Sequence, residues 1–214
     1  MLADDHAIVG EGLYRVLERD FEVVRIVADG LAAVRTAAEL RPDVAVLDVS
    51  MPLLNGIEAA RQIRASNRQI RIVFLSMHPD VVYVSEALQA GGSAYVLKSS
   101  AGVEIVLAIR EALNGGTFLT PGIDQNTLAT QTGKEQHPLS ALPRRHREVL
   151  QMVAEGRTTK QIAALLQISP RTVEFHRYRA MESLGLHSIA EVVQYAIKHH
   201  LVSPQPNLPE DIEY

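Results

Sequence analysis

Four points in the first hundred residues carry side chains of complementary chemistry. Asp4-Asp5 follow the short apolar stretch Met1-Leu2-Ala3, and Asp48, Ser76 and Lys98 each end or follow a short run rich in Val, Ile and Leu. Three carboxylates on one rim repel one another unless a cation neutralises them, and an all-oxygen set selects Mg²⁺ or a similar hard ion. Lys98 adds a compact positive charge and Ser76 a hydroxyl donor. Together these groups suit attack by the Asp48 carboxylate on a phosphoryl group, with metal and ammonium stabilising the charge on the transferred oxygens. Singly, Asp or Ser at a strand end is more often a turn former or a helix cap, and a lone Lys is usually solvated. The force of the pattern lies in the ordered set.

The elements that must position this set alternate. Val23–Ala28, Val44–Asp48, Arg71–Ser76 and Ala94–Leu97 read as strands buried on both faces. Ala7–Arg19, Gly30–Leu40, Gly56–Ser66, Asp80–Ala90 and Gly102–Asn114 read as amphipathic helices, with Gly91-Gly92 and Gly115-Gly116 as stop signals. The alternation predicts an α/β, doubly wound parallel sheet with five strands, in which ligands bind beyond the carboxyl ends of the strands. The four chemical positions then share one rim.

After Asn114 the pattern lapses into Gly, Pro and polar residues, as a linker or weak helix would. The remainder is helical throughout. Arg144–Glu155 is amphipathic and closed by Gly156. Thr159–Leu166 follows. Ser169 N-caps a third helix with Pro170 at its first position, running to Leu184, and Ser188 caps a fourth to His200. The second and third helices are separated by a short turn, and Arg171, His176, Arg177 and Arg179 make the third basic. This is the outline of a helix-turn-helix, although a helical bundle with a solvated basic face has the same outline. Charge supports two units with different partners: residues 1–135 carry 12 Lys+Arg against 17 Asp+Glu, and residues 136–200 carry 9 against 5, with six of the eight His. The absence of Cys excludes disulfides and thiolate metal sites and fits a cytoplasmic setting. No apolar run approaches membrane-spanning length, so no membrane association is expected.

The segments "LADDHAIVGEGL", "VAVLDVSMPLLNGIEAARQIR", "IVFLSMH" and "ALQAGGSAYVLK" closely resemble the receiver domain of response regulators, over essentially all of residues 1–118. The resemblance implies that Asp4 and Asp5 are the acidic pair, Asp48 the phosphoacceptor, Ser76 the switch hydroxyl, Tyr95 the switch aromatic and Lys98 the phosphoryl-binding lysine. It also implies a flavodoxin-like strand order for the sheet, and that the Ser50 carbonyl completes the Mg²⁺ shell. Phosphorylation is then expected to draw Ser76 toward the new oxygens and let Tyr95 fill the space. Only Met1, Leu2 and Ala3 precede the acidic pair, fewer than a receiver's first strand normally has. Either the sequence starts within that strand, or the sheet tolerates a short one.

Residues 141–202 closely resemble the LuxR-type DNA-binding domain, and the whole chain resembles the NarL/FixJ family of response regulators. That implies sequence-specific binding of double-stranded DNA controlled by a sensor histidine kinase, not an enzyme's function. Glu174, Phe175 and Tyr178 match positions that face base edges. Thr159 and Lys160 on the second helix and Arg171, Thr172 and Arg179 on the third match phosphate contacts, and His176 on the third is a further DNA-binding candidate. Ile162, Ala163, Leu166, Val173 and Leu184 are expected in the core. On the last helix Ile189, Val192, Val193 and Ile197 are candidates for a homodimer patch. Pro143 stands where the family usually has a Thr or Ser cap, and His146 where it usually has Glu. The expected domains are a receiver over 1–118, a linker over 119–137, a helix-turn-helix domain over 138–203 and a tail over 204–214. A phosphatase with an Asp nucleophile would need a second Asp two residues after the first, where this chain has Ser50. A receiver-like domain that binds DNA constitutively or senses a ligand is disfavoured by the intact five-residue set.

Overall fold

A computed structural model describes residues 1–123, 141–199 and 201–202. The expected tail and most of the expected linker lie outside these residues, as does His200. The chain divides into two compact units at Arg144–Arg145.

The first unit runs β1 (Leu2–Ala3), α1 (Ala7–Leu17), β2 (Ile26–Val27), α2 (Gly30–Leu40), β3 (Val44–Asp48), α3 (Gly56–Ser66), β4 (Arg71–Ser76), α4 (Val81–Gln89), β5 (Gly92–Leu97), α5 (Ala101–Leu113) and β6 (Phe118–Leu119). Among the described residues the sheet has the order β2-β1-β3-β4-β5-β6, parallel throughout. Its strands read as continuous apolar runs because both faces are covered. In β4, Ile72 and Phe74 face the layer of α2, α3 and α4, whereas Val73 and Leu75 face α1 and α5. Asp29, Asn55 and Asp80 cap α2, α3 and α4 by accepting from the amides of Ala32, Glu58 and Val82.

Two differences from the sequence reading share a cause. A strand is limited by its neighbour, which composition does not reveal. The two-residue β1 lies inside the sheet, between β2 and β3, where Leu2 is fully buried; the Leu2 amide donates to the Arg25 carbonyl on one side, and the Val46 amide donates to the Met1 carbonyl on the other. Where β1 stops, β2 has no partner, so it contracts from the expected Val23–Ala28 to Ile26–Val27; at this edge Val24 and Ile26 are exposed, not buried on both faces as expected. At the other edge, residues expected to open the linker pack on the sheet instead. β6 pairs with β5, and Thr120 and Ile123 are buried. The sheet therefore has six strands among the described residues, one more than expected.

Gly56 is sterically required. A Cβ there would lie 2.1 Å from the Asp48 carbonyl oxygen, because the turn after β3 folds back until the Gly56 amide donates to Val49 at 2.9 Å. Gly56→Ala should force this turn off Asp48 and cost about 2–4 kcal/mol in a denaturant titration. A loss below ~0.5 kcal/mol would contradict the packing described.

The second unit contains α6 (Arg144–Ala154), α7 (Thr159–Leu166), α8 (Pro170–Leu184) and α9 (Ile189–Lys198). Thr158 and Gln161 form a reciprocal capping box on α7. Gln167 takes the left-handed conformation that ends α7, and Ser169 caps α8 with Pro170 at its first turn. Val149, Leu150, Met152, Ile162, Ala163, Leu166, Val173, Ala180, Val192 and Ala196 are buried. Leu184, expected in the core, is half-buried. Val192, expected in a dimer patch, is fully buried: residues 192 and 196 form the inner stripe of α9, and 189, 193 and 197 form another, along which Ile189 and Ile197 are exposed. Among the described residues, no helix is long and apolar enough to cross a membrane.

Candidate functional site

The carboxyl ends of the central strands bring the sequence-predicted groups together. The Lys98 ammonium lies 2.8 Å from Asp4 Oδ2 and 2.8 Å from Asp48 Oδ2, bridging residues from either side of the β1–β3 pair. All three side chains are largely buried. The Ser50 amide donates to Asp48 Oδ1 at 3.3 Å, and the His6 amide donates to Asp4 Oδ1 at 2.9 Å. Burial pushes the Asp48 carboxyl up to about 6; Lys98 opposes this and Asp4 reinforces it. Burial disfavours the Lys98 cation, but its two carboxylate partners outweigh that and raise its pKa.

Asp5 stands at the mouth of this cluster. His6 Nδ1 lies 2.8 Å from Asp5 Oδ1 and 3.4 Å from Asp4 Oδ1. The sequence reading placed no histidine at the rim; His6 is there because it directly follows the acidic pair, a signal available from adjacency alone. One ligand atom from each of Asp4, Asp5, His6 and Asp48 can be chosen so that all lie within 4.8 Å of one another. Carboxylate oxygens dominate this set, as a hard divalent cation requires, and a cation would relieve the unfavourable burial of the Asp48 charge.

Ser76 is buried beside the rim, its hydroxyl accepting from the His78 amide at 3.0 Å. Tyr95 is fully buried, and its hydroxyl donates to the His78 carbonyl at 2.8 Å. Burial pushes the phenol up to about 12, so it is a neutral donor. The Tyr95 ring occupies the interior in this structure, where the His78 carbonyl satisfies its hydroxyl.

In the second unit, α7 and α8 present the helix-turn-helix residues. Lys160, Arg171, Phe175, Tyr178 and Arg179 are exposed, whereas Thr159, Thr172, Glu174 and His176 are half-buried. Glu174 is engaged from both sides: it accepts from the Thr159 hydroxyl on α7 and pairs with Arg177 one turn along α8. Arg179 pairs with Glu182 at 2.9 Å and lies over the Phe175 ring, 5.8 Å from its centroid. The sequence reading did not anticipate that His146 on α6 meets His176 on α8, with ring centroids 5.2 Å apart and Phe175 edge-on to both. Burial, then neighbouring cationic groups, lower both imidazole pKa values, so both rings favour the neutral form. The departure from Glu at position 146 was visible in sequence; its partner, thirty positions away, was not.

The chain matches the response regulator receiver domain over residues 1–110 and the bacterial regulatory proteins of the luxR family over residues 140–196. It is 31% identical over 210 residues to the response regulator UvrY of Escherichia coli strain K12, covering 96% of each chain. It is 35% identical over 213 residues to the oxygen regulatory protein NreC of Staphylococcus epidermidis, covering 94% of this chain and 98% of that one. Among solved structures, it is similar to one of two RcsB dimers bound to two parallel DNAs, with 27% identity and a TM-score of 0.56 over 91% of this chain and 95% of that one. With both family matches in chain order and relatives spanning nearly its full length, the chain belongs to the NarL/FixJ family of response regulators, a receiver domain followed by a LuxR-type helix-turn-helix domain.

Proposed function

We propose that Asp48 accepts a phosphoryl group from a sensor histidine kinase, and that this controls sequence-specific DNA binding and hence transcription. The observation that carries the reading is the Lys98 ammonium held between Asp4 and Asp48 at the carboxyl rim of a doubly wound sheet. An Asp48 oxygen attacks phosphorus, the phosphorus–nitrogen bond to the donor imidazole breaks, and an acyl phosphate forms. Lys98 would hold the transferred oxygens, and Ser76 would hydrogen-bond one of them. Bound Mg²⁺ would neutralise charge on those oxygens. Asp5, Asp48 and the Ser50 carbonyl would hold it directly and Asp4 through water. Ser50 offers no acid for rapid hydrolysis of the acyl phosphate, which favours a regulator over a phosphatase. The receiver then extends through Ile123, five residues past the boundary read from sequence.

On the second domain, Glu174, Phe175 and Tyr178 would read base edges, while Thr159, Lys160, Arg171, Thr172, His176 and Arg179 would contact or lie along the phosphates. The cytoplasm is the setting this function requires. Assembly as a homodimer on DNA is supported by the RcsB relative, whose structure is of dimers on DNA, and by the exposed stripe of Ile189 and Ile197 with half-buried Val193.

Calorimetric titration with Mg²⁺ tests the rim. Asp5→Ala should weaken Mg²⁺ binding by about tenfold or more, and acetyl phosphate should label the wild-type chain only when Mg²⁺ is present. Unchanged affinity in Asp5→Ala would place the ion elsewhere.

A further inference from the structure

The bonds that fasten the chain's exit from the sheet converge on the turn that carries Lys98. The Thr120 amide donates to the Tyr95 carbonyl at 3.0 Å, and the Leu97 amide donates to the Thr120 hydroxyl oxygen at 3.0 Å. That hydroxyl donates to Glu104 Oε2 at 2.6 Å, and the Ser100 hydroxyl lies 3.0 Å from the same oxygen. Thr120, which is buried, thus uses its hydroxyl both as acceptor and as donor. Leu97 immediately precedes Lys98, and Ser100 is the cap position of α5. One carboxylate oxygen therefore ties together the end of β5, the start of α5 and the segment after β6. An acidic residue in the first turn of a helix is common because it suits the helix dipole. That general role does not require its oxygen to engage a hydroxyl sixteen residues downstream.

We propose that Glu104 and Thr120 are positioning residues that lock the Lys98 turn to residues 118–123, so that a change of state at Asp48 is transmitted to the segment by which the chain leaves the receiver. The proposal rests on Asp48 being the phosphoacceptor. Lys98 divides its ammonium between Asp4 and Asp48. Phosphoryl oxygens on Asp48 compete for it and draw it from Asp4. The chain on either side of Lys98 is bonded to Thr120, directly through the Leu97 amide and, by way of the Glu104 carboxylate, through the Ser100 hydroxyl. A shift of the turn must carry Thr120 with it or break those bonds. The coupling is a contiguous hydrogen-bonded element, biased by the occupancy of one site.

Amide hydrogen exchange on the full chain, with and without beryllofluoride plus Mg²⁺, reads this coupling without reference to labelling activity. In the wild type, beryllofluoride should change exchange by about threefold or more in both peptides 97–101 and 118–123. Thr120→Val, which keeps the shape and loses the hydroxyl, should retain the response in 97–101 and lose it in 118–123. Thr120→Ser should retain both. A wild-type response in 97–101 without one in 118–123 overturns the coupling, as does a full response of 118–123 in Thr120→Val or its loss in Thr120→Ser. No wild-type response in either peptide overturns the Asp48 assignment beneath it.

Discussion

Asp48→Asn should lower acetyl-phosphate labelling at saturating Mg²⁺ by at least ~100-fold, because the amide keeps the shape of the side chain and removes the nucleophile. The same substitution should not unfold the receiver. Burial raises the folded-state pKa of Asp48 from 3.8 to about 6. A carboxyl whose folded pKa is raised stabilises the fold fully below its unfolded pKa, and that contribution is lost as pH rises through 6. A shift of about two units corresponds to ~3 kcal/mol, less what Lys98 loses when one partner becomes neutral. Asp48→Asn is therefore expected to be as stable as the wild type or ~1–3 kcal/mol more stable at pH 7.5 without Mg²⁺. Loss of labelling together with unchanged or increased stability isolates the chemistry from the fold. Wild-type labelling in Asp48→Asn would remove Asp48 from the mechanism.

The second large effect is on assembly and DNA. A single helix-turn-helix buries limited surface, and two joined copies gain through effective concentration. Beryllofluoride with Mg²⁺ should convert the chain from monomer to dimer in sedimentation velocity. Affinity for a fragment with two half-sites about 10 base pairs apart, centre to centre, should exceed that for one half-site by ~10²-fold or more. Moving the half-sites by half a turn should remove the gain. Ile189→Glu with Ile197→Glu should do the same while leaving single half-site binding intact, because both residues are exposed on α9 and Val192 and Ala196 hold the helix on its own domain. A monomer under both conditions, on and off DNA, would exclude dimerisation as the switch. Exposure of the recognition helix by phosphorylation would then be the better account.

The parts legible in the sequence were those with local, repeated signals. β3 and β4 are runs of five and six residues buried on two sides, and their ends coincide with those expected from Val44–Asp48 and Arg71–Ser76. The bounds of α2, α3, α7 and α8 were equally clear, since each follows a capping Asp, Asn, Thr or Ser. Asp4, Asp48 and Lys98 could be placed together because parallel topology sends strand ends to one rim. What escaped depended on partners distant in sequence. β6 is two residues long and has no period of its own; its existence depends on β5. The contraction of β2 follows from the brevity of β1. Val192 and Val193 are alike in composition, and packing alone separates the buried one from its half-buried neighbour. The meeting of His146 with His176, and of Glu104 with Thr120, are tertiary facts with no periodic trace.

The central claim is that the phosphorylation state of Asp48 sets DNA affinity, and fluorescence anisotropy on a fragment selected from genomic DNA by the protein itself tests it most directly. Wild-type and Asp48→Asn chains would be titrated at fixed ionic strength, with and without acetyl phosphate and Mg²⁺, because phosphate contacts make affinity salt-dependent. Acetyl phosphate should tighten wild-type binding by about tenfold or more and leave Asp48→Asn unchanged. Equal affinity of the two chains under all conditions, or equal tightening of both, would contradict the account.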